Sequence, residues 1–416
     1  VEEGLYVIDD LPQILDYSFT DNKYSAYIFI NHKISSKTSM KAGLNTDWYQ
    51  MRHMDSARLV RIDPNDLVEP TLDPWRVRWD SDDGAIMLQP YVQFKYKASP
   101  RLTMTGGLTS LYFGINKESF SPLEPRLGLS YDLGKKQRLN AGIGYHSQMW
   151  PTYIYYYSLE SVGKDPTEHN LDNIGLTKSL HTVLGYEKAF TSNMRLKAET
   201  YFQYLHDIPV KTVSSPYALI NSGSGFSRFF PDELENSGIG RNFGIELTVE
   251  RFFTQGYYFL ITGSLFDSRY QGSDEIWRNT SFNGHYGVNG LFAKEFAFKN
   301  GSSFNVGGKV TFAGGRRYGD VDNAASLLAQ DVVYLENENY NEYQFDPYFR
   351  ADLKLNYKIN RPKVTHEFSV DVVNLFDIKN ILSLTYAPDH PSDSDFVEEY
   401  QIGLLPIFYY KLDFRL

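Results

Sequence analysis

Strand-like runs in this chain are joined by connections that alternate strictly between short and long, a pattern few folds tolerate. In 195–205, Leu196, Ala198, Thr200, Phe202 and Tyr204 alternate with Arg195, Lys197, Glu199, Tyr201 and Gln203. In 349–358, Phe349, Ala351, Leu353, Leu355 and Tyr357 alternate with Arg350, Asp352, Lys354, Asn356 and Lys358. The last run repeats the scheme, with Phe408, Tyr410, Leu412, Phe414 and Leu416 against Tyr409, Lys411, Asp413 and Arg415. A period of two with one apolar and one polar side reads as β-strand, and no stretch shows a helical period. Strands are expected near 23–35, 38–51, 85–98, 101–115, 125–133, 138–148, 180–190, 194–208, 242–253, 257–270, 284–298, 302–315, 348–359, 364–377 and 405–416, about fifteen in all.

Short connections fall at 35–38, 98–101, 134–137, 190–194, 253–256, 299–302 and 360–363. Long ones cover 52–84, 116–124, 149–179, 209–241, 271–283, 316–347 and 378–404. Several of these exceed the ~12–15 residues at which a loop becomes unusual in a compact soluble domain. Tight turns on one side and long loops on the other are what an outer-membrane barrel requires, with the long loops outside the cell. The expected fold is therefore all-β, a transmembrane antiparallel barrel.

Composition agrees. Aromatic residues make up 16% of the 416, with 32 Tyr and 28 Phe, and such rings suit strands and the membrane–water boundary. Mean hydropathy is −0.40, and no run approaches the ~18 consecutive apolar residues of a spanning helix. With no Cys, disulfide frameworks, thiolate zinc sites and thiol nucleophiles are excluded. A net charge of −10 argues against nucleic acid as a partner. Val1-Glu2-Glu3 offers neither a basic nor an apolar leader region, so no signal peptide is read there.

Parity adds a constraint. The first strand ends in a short turn and the last follows a long loop, so both run towards the periplasm. Fifteen strands of that parity cannot close antiparallel, because bacterial barrels use even numbers. The expectation is a part of a longer barrel, with 1–22 as an outer lead-in segment and 23–416 as a C-terminal barrel region. A self-contained, passive 16-strand porin is the alternative.

Several blocks resemble those of the TonB-dependent outer-membrane receptors, in the form common among Bacteroidetes. They include Glu124–Tyr131 (EPRLGLSY), 139–148 (LNAGIGYHSQ), 181–188 (HTVLGYEK), 195–210 (RLKAETYFQYLHDIPV) and 236–251 (NSGIGRNFGIELTVER). Ser268-Arg269-Tyr270, 278–282 (RNTSF), 314–318 (GGRRY), 350–357, Asp371–Asn374 and the closing aromatic strand complete the order. The resemblance implies about 22 strands, of which about fifteen lie here, with the plug domain and the remaining N-terminal strands outside this chain. It further implies energised uptake of a scarce nutrient across the outer membrane of a Gram-negative bacterium. Its implied partners are outer-membrane lipid, the plug and missing strands, the TonB complex and a surface lipoprotein. No cofactor is implied.

Candidate chemistry is sparse. Nine His lack metal-ligand spacing, and no Ser/His/Asp constellation marks an enzyme. Gly238-Ile-Gly240-Arg-Asn-Phe-Gly244 mimics a dinucleotide loop but precedes a strand rather than a helix. Asp389, Asp393, Asp395, Glu398 and Glu399 read as a solvated loop rather than a calcium site. Trp75, Trp79, Trp150, Tyr153 and Tyr155 sit in long outer loops and are candidate ligand contacts. Lys197, Glu199, Glu246, Asp352, Lys354 and Asp371 are expected to face the lumen and dock a plug. Leu196, Ala198, Phe202, Tyr204, Leu353, Leu355, Leu412 and Phe414 are expected to face lipid.

Overall fold

The computed structural model describes residues 13–61, 71–165, 167–223, 230–329, 331–388, 390 and 394–414. One antiparallel sheet contains 16 strands. Fifteen form a wall in chain order. They are β1 (Leu15–Lys33), β2 (Thr38–Ala57), β3 (Arg76–Lys97), β4 (Leu102–Phe113) and β5 (Phe120–Gly134). Then come β6 (Gln137–Gln148), β7 (Thr177–Ala189), β8 (Met194–Lys211), β9 (Leu234–Thr254) and β10 (Tyr257–Gln271). The last are β11 (Tyr286–Ala297), β12 (Ser303–Ala313), β13 (Tyr348–Asn360), β14 (Val364–Val373) and β15 (Leu405–Phe414). The short strand Trp277–Asn279 pairs with the outer end of β10. Among the described residues the sheet is open: β1 and β15 are its edges, and both are exposed throughout. Among the described residues no helix is long and apolar enough to cross a membrane.

The wall is built as the alternation predicts. On β8, Lys197, Glu199 and Gln203 share a face with Thr248, Glu246 and Asn242 of β9. The other face carries Phe202, Ile245 and Leu265, the last two 61% and 67% exposed. Large apolar side chains left open over a whole sheet face are costly in water and are what a lipid-facing wall needs. Of the residues expected to face lipid, Phe202, Leu412 and Phe414 are exposed. Leu416 lies outside the described residues.

Tight turns close the short ends. Gly134, Lys135 and Lys136 have φ of 77°, 51° and 60°, and Gln255-Gly256 has 54° and 75°. These left-handed conformations match the twist of two-residue hairpins.

At the other end the strands outrun the alternation. β1 begins at Leu15, so residues 15–22, expected as lead-in, belong to the wall. β2 continues to Ala57 instead of 51, β3 begins at Arg76 instead of 85, and β9 at Leu234 instead of 242. Here the face that holds Trp48 and Ile86 lower down carries Arg52 opposite Asp82. Above the lipid both faces meet water or loops, so pairing continues while the apolar period disappears. β14, by contrast, stops at Val373 rather than 377, because Asn374 turns out of the strand at φ 50°.

A cation placed on the apolar face tests the assignment. Ile245→Arg is expected to destabilise the folded barrel by about 2–4 kcal/mol, measured by urea-dependent folding of the full-length protein into vesicles. A loss below about 0.5 kcal/mol would place Ile245 outside the hydrocarbon.

Candidate functional site at the barrel mouth

The polar face of the wall is neutralised locally. Lys354 Nζ meets Asp371 Oδ2 at 2.8 Å, Arg350 Nε meets Asp352 Oδ1 at 2.7 Å, and Lys197 pairs with Glu199. Arg195 pairs with Glu250, and Lys23 with Asp47 at 2.8 Å. Glu246 lies directly across from Glu199. All six residues expected in the lumen therefore lie on the polar face, mostly in pairs of opposite sign. Such a wall presents alternating hydrogen-bond donors and acceptors rather than a ring of one charge.

At the outer end of β8 the alternation slips. Leu205 pairs with Gly240 and Ile208 with Gly238, so β8 spends one residue more than its partner. Asp207 takes φ 55° in this bulge. The extra residue exchanges the faces: Leu205, then Ile208 and Val210, turn inward and pack with Ala218 and Tyr270. A Cβ on Gly238 would come within 2.5 Å of Val210 Cγ1, and one on Gly244 within 2.8 Å of the Tyr201 hydroxyl. The glycines that mimic a dinucleotide loop thus make room between neighbouring strands.

Beyond the bulge, three loops are knotted together by polar groups, of which Arg278 and Tyr270 are buried. They cover 212–233, 272–285 and 314–347. Lys211 Nζ meets Asp232 Oδ2 at 2.8 Å and also pairs with Glu336, whose other oxygen accepts from Ser215 Oγ at 2.6 Å. Arg278, 5% exposed, donates to Asp274 Oδ1 at 2.9 Å and to the Asn337 carbonyl at 3.2 Å. Tyr270, fully buried, donates to the Pro216 carbonyl at 2.8 Å. Arg316 reaches the Leu382 carbonyl of the next loop, and Arg317 the carbonyls of Asn283 and Glu342. A Cβ on Gly314 would lie 1.8 Å from the Gly284 carbonyl oxygen and one on Gly315 2.0 Å from that of Phe345, so at these two residues the loop joint has no room for a side chain. Burial drives the Tyr217 and Tyr340 hydroxyls above their ordinary pKa, and Tyr334 up to about 12.

Loop 149–176 folds onto the polar face of β2–β4. Tyr155, Tyr156, Tyr157 and Ile154 pack with Met51, Trp79 and Phe113 in one buried cluster. Trp79 Nε1 donates to the Tyr153 carbonyl at 2.8 Å, and Asn116 Nδ2 to the Ile174 carbonyl at 2.7 Å. His53, also buried here, bonds Asp21 Oδ1 through Nε2 at 2.9 Å.

This changes the meaning of the outer-loop aromatics. Trp79 and Tyr155 are buried packing residues in this arrangement. Tyr153 is half-buried beside Trp79. Trp75 is 40% exposed and lies under the Arg58 guanidinium at 4.6 Å. Trp150 donates Nε1–H to Thr177 Oγ1 at 2.9 Å and lines a cleft. In the acidic loop, Glu399 accepts from Ser383 and Thr385 and Glu398 from Tyr400. Asp389 and Asp393 lie outside the described residues. The joining of Ser215 to Glu336, and of Arg278 to the Asn337 carbonyl, escaped the sequence reading because the partners are distant in the chain.

No family model and no curated sequence matches the chain. Solved structures do. The ferripyoverdine receptor of the outer membrane of Pseudomonas aeruginosa is 11% identical over 96% of this chain, with a TM-score of 0.63, and 49% of it is covered. The copper transporter OprC gives 14%, 96%, 0.59 and 57% for the same four quantities. The ferric yersiniabactin uptake receptor FyuA from Yersinia pestis gives 15%, 98%, 0.53 and 59%. The fold is that of an outer-membrane β-barrel, of the kind that forms the walls of TonB-dependent receptors. This chain spans about half the length of the solved structures it matches.

The aromatic cap has a pH signature. Burial holds the Tyr155 hydroxyl up at about 12, against ~10 in an unfolded chain. Its neutral form is the folded one, so its contribution is complete below about pH 10 and lost between pH 10 and 12. Ultraviolet titration up to about pH 11 is expected to count the same number of tyrosinates in wild type as in Tyr155→Phe, because Tyr155 is still protonated there. If Tyr155 ionises with the exposed tyrosines at about 10, the cap is open in solution.

Proposed function

We propose that the protein of which this wall is part is a TonB-dependent outer-membrane receptor that takes up a scarce nutrient through a plugged barrel. The observation that carries the reading is the open sheet itself. Hydrocarbon offers no water to satisfy a free strand edge, yet β1 and β15 are both unpaired on one side. They run in the same direction, so antiparallel closure needs an odd number of further strands. Seven would complete a barrel of about 22 strands, a size whose lumen is plugged in outer-membrane transporters. The half-length coverage of the neighbouring receptors supports that size.

A polar wall of both charge signs supports plug docking. Lys197, Glu199, Glu246, Asp352, Lys354 and Asp371 offer donors and acceptors to a second protein surface across the lumen. The reading is of a transporter rather than an enzyme, and of a gated passage rather than a passive porin. TonB, the plug, the remaining strands and lipid are its partners; a surface lipoprotein rests on the family resemblance alone. The neighbours are named as siderophore, iron and copper carriers, which leaves the nutrient of this chain open.

Uptake by the full-length protein is expected to collapse when TonB is deleted or the proton gradient is discharged, while ligand still binds at the cell surface. Uptake that persists unchanged in the deletion strain, rising linearly with concentration, would replace this reading with the porin.

A further inference from the structure

In the outer part of the polar face, a cleft of about 250 Å³ opens between β6, β7 and β8. Trp150 and Ile220 close it from the loops, and His146, Ser179, His181 and Gln203 line it from the wall. No carboxylate, ammonium or guanidinium is among its lining residues. That is unusual here, because Lys197 and Glu199 lie only a few residues down the same strand. The volume corresponds to roughly eight waters, enough for one ring or one short chain segment.

A directed hydrogen-bond relay feeds this cleft. Thr280 Oγ1 donates to Ser268 Oγ at 2.9 Å, and Ser268 Oγ donates to Asn242 Oδ1 at 2.6 Å. Asn242 Nδ2 donates to Gln203 Oε1 at 2.9 Å, and Gln203 Nε2 to Ser179 Oγ at 3.0 Å. The relay crosses β7 to β10 with every link pointing the same way, and aligned links polarise one another. It ends on Ser179, whose oxygen has accepted and whose hydroxyl hydrogen remains to be given. The Trp150 N–H is already taken by Thr177, so the indole offers the cleft its ring and not a donor.

We propose that this cleft is a ligand subsite that holds one uncharged unit: a carbonyl or hydroxyl oxygen accepting from Ser179, with an apolar edge against Trp150 and Leu205. A charged unit is disfavoured, because no carboxylate, ammonium or guanidinium among the lining residues compensates its lost hydration, and only the imidazoles of His146 and His181 could carry a charge there. A sugar ring and a peptide amide both carry this chemistry. The subsite role rests on reading the lumen as the passage for ligand.

The test uses the full-length protein in detergent micelles and follows tryptophan fluorescence. The neutral probes are methyl glucoside and N-acetylglycinamide; the charged ones are glucuronate and glucosamine. Saturable binding of either neutral probe, with both charged probes at least about tenfold weaker, is the expected result. Binding of the glucoside assigns the sugar source, and binding of the amide assigns the peptide source. Ser179→Ala and Gln203→Leu are each expected to weaken binding roughly tenfold, the worth of one hydrogen bond, while Ser179→Thr retains it. Heat-dependent gel mobility controls for folding of each variant. No binding of either neutral probe, equal binding of charged probes, or indifference to Ser179→Ala in a folded variant overturns the proposal. Binding in micelles needs neither TonB nor a gradient, so its failure and the failure of energised uptake are read separately.

Discussion

The absence of water in the lipid core governs this molecule. Every backbone N–H and C=O that enters hydrocarbon must find a partner within the protein, at several kcal/mol for each one left over. A sheet meets that demand only when each strand is flanked on both sides. Neighbouring strands here pair in long continuous ladders, such as the unbroken register between β1 and β2. Pairing of that length leaves side chains one freedom, to face lipid or lumen. The split between Ile245 on one face and Glu246 on the other follows from the pleat.

What happens above the lipid obeys different physics. There the polar groups find partners far away in the chain, and they join loops. Ser215 with Glu336, Arg278 with the Asn337 carbonyl, and Arg316 with the Leu382 carbonyl hold four loops to one another. The Asp232 and Glu336 side chains that pair with Lys211 are 37% and 41% exposed, and ion pairs open to solvent add little stability, so these contacts specify an arrangement more than they add stability. The aromatic cap works in the complementary way, tying loop 149–176 to β2–β4 through ring packing.

The wall was largely legible because its determinants are local. Period-two alternation located the fifteen strands, and loop length located their outer ends. Where the period vanished, as at Arg52 and Asp82, strand limits were misplaced by six to nine residues in β2 and β3, although pairing continued. The mouth was much less legible. The sequence places Trp79 and Tyr155 in long connections, and nothing local announces that Met51 and Phe113 pack against them. The blocks that carried the family resemblance mark much of this same hidden layer. Tyr270 of the Ser268–Tyr270 block, Arg278 of the 278–282 block and the paired glycines at 314–315 are loop joints.

The single extra residue in β8 at His206–Asp207 gives one strand two reading frames. Below it, odd-numbered side chains lie on the polar face; above it, Ile208 and Val210 do. The bulge therefore acts as a phase shifter between two environments that want opposite things from the same backbone. It lets the lipid-embedded part keep charge inward while the part above brings aliphatic side chains to the loops. The boundary between membrane physics and loop physics is thus written into the chain as one residue of offset.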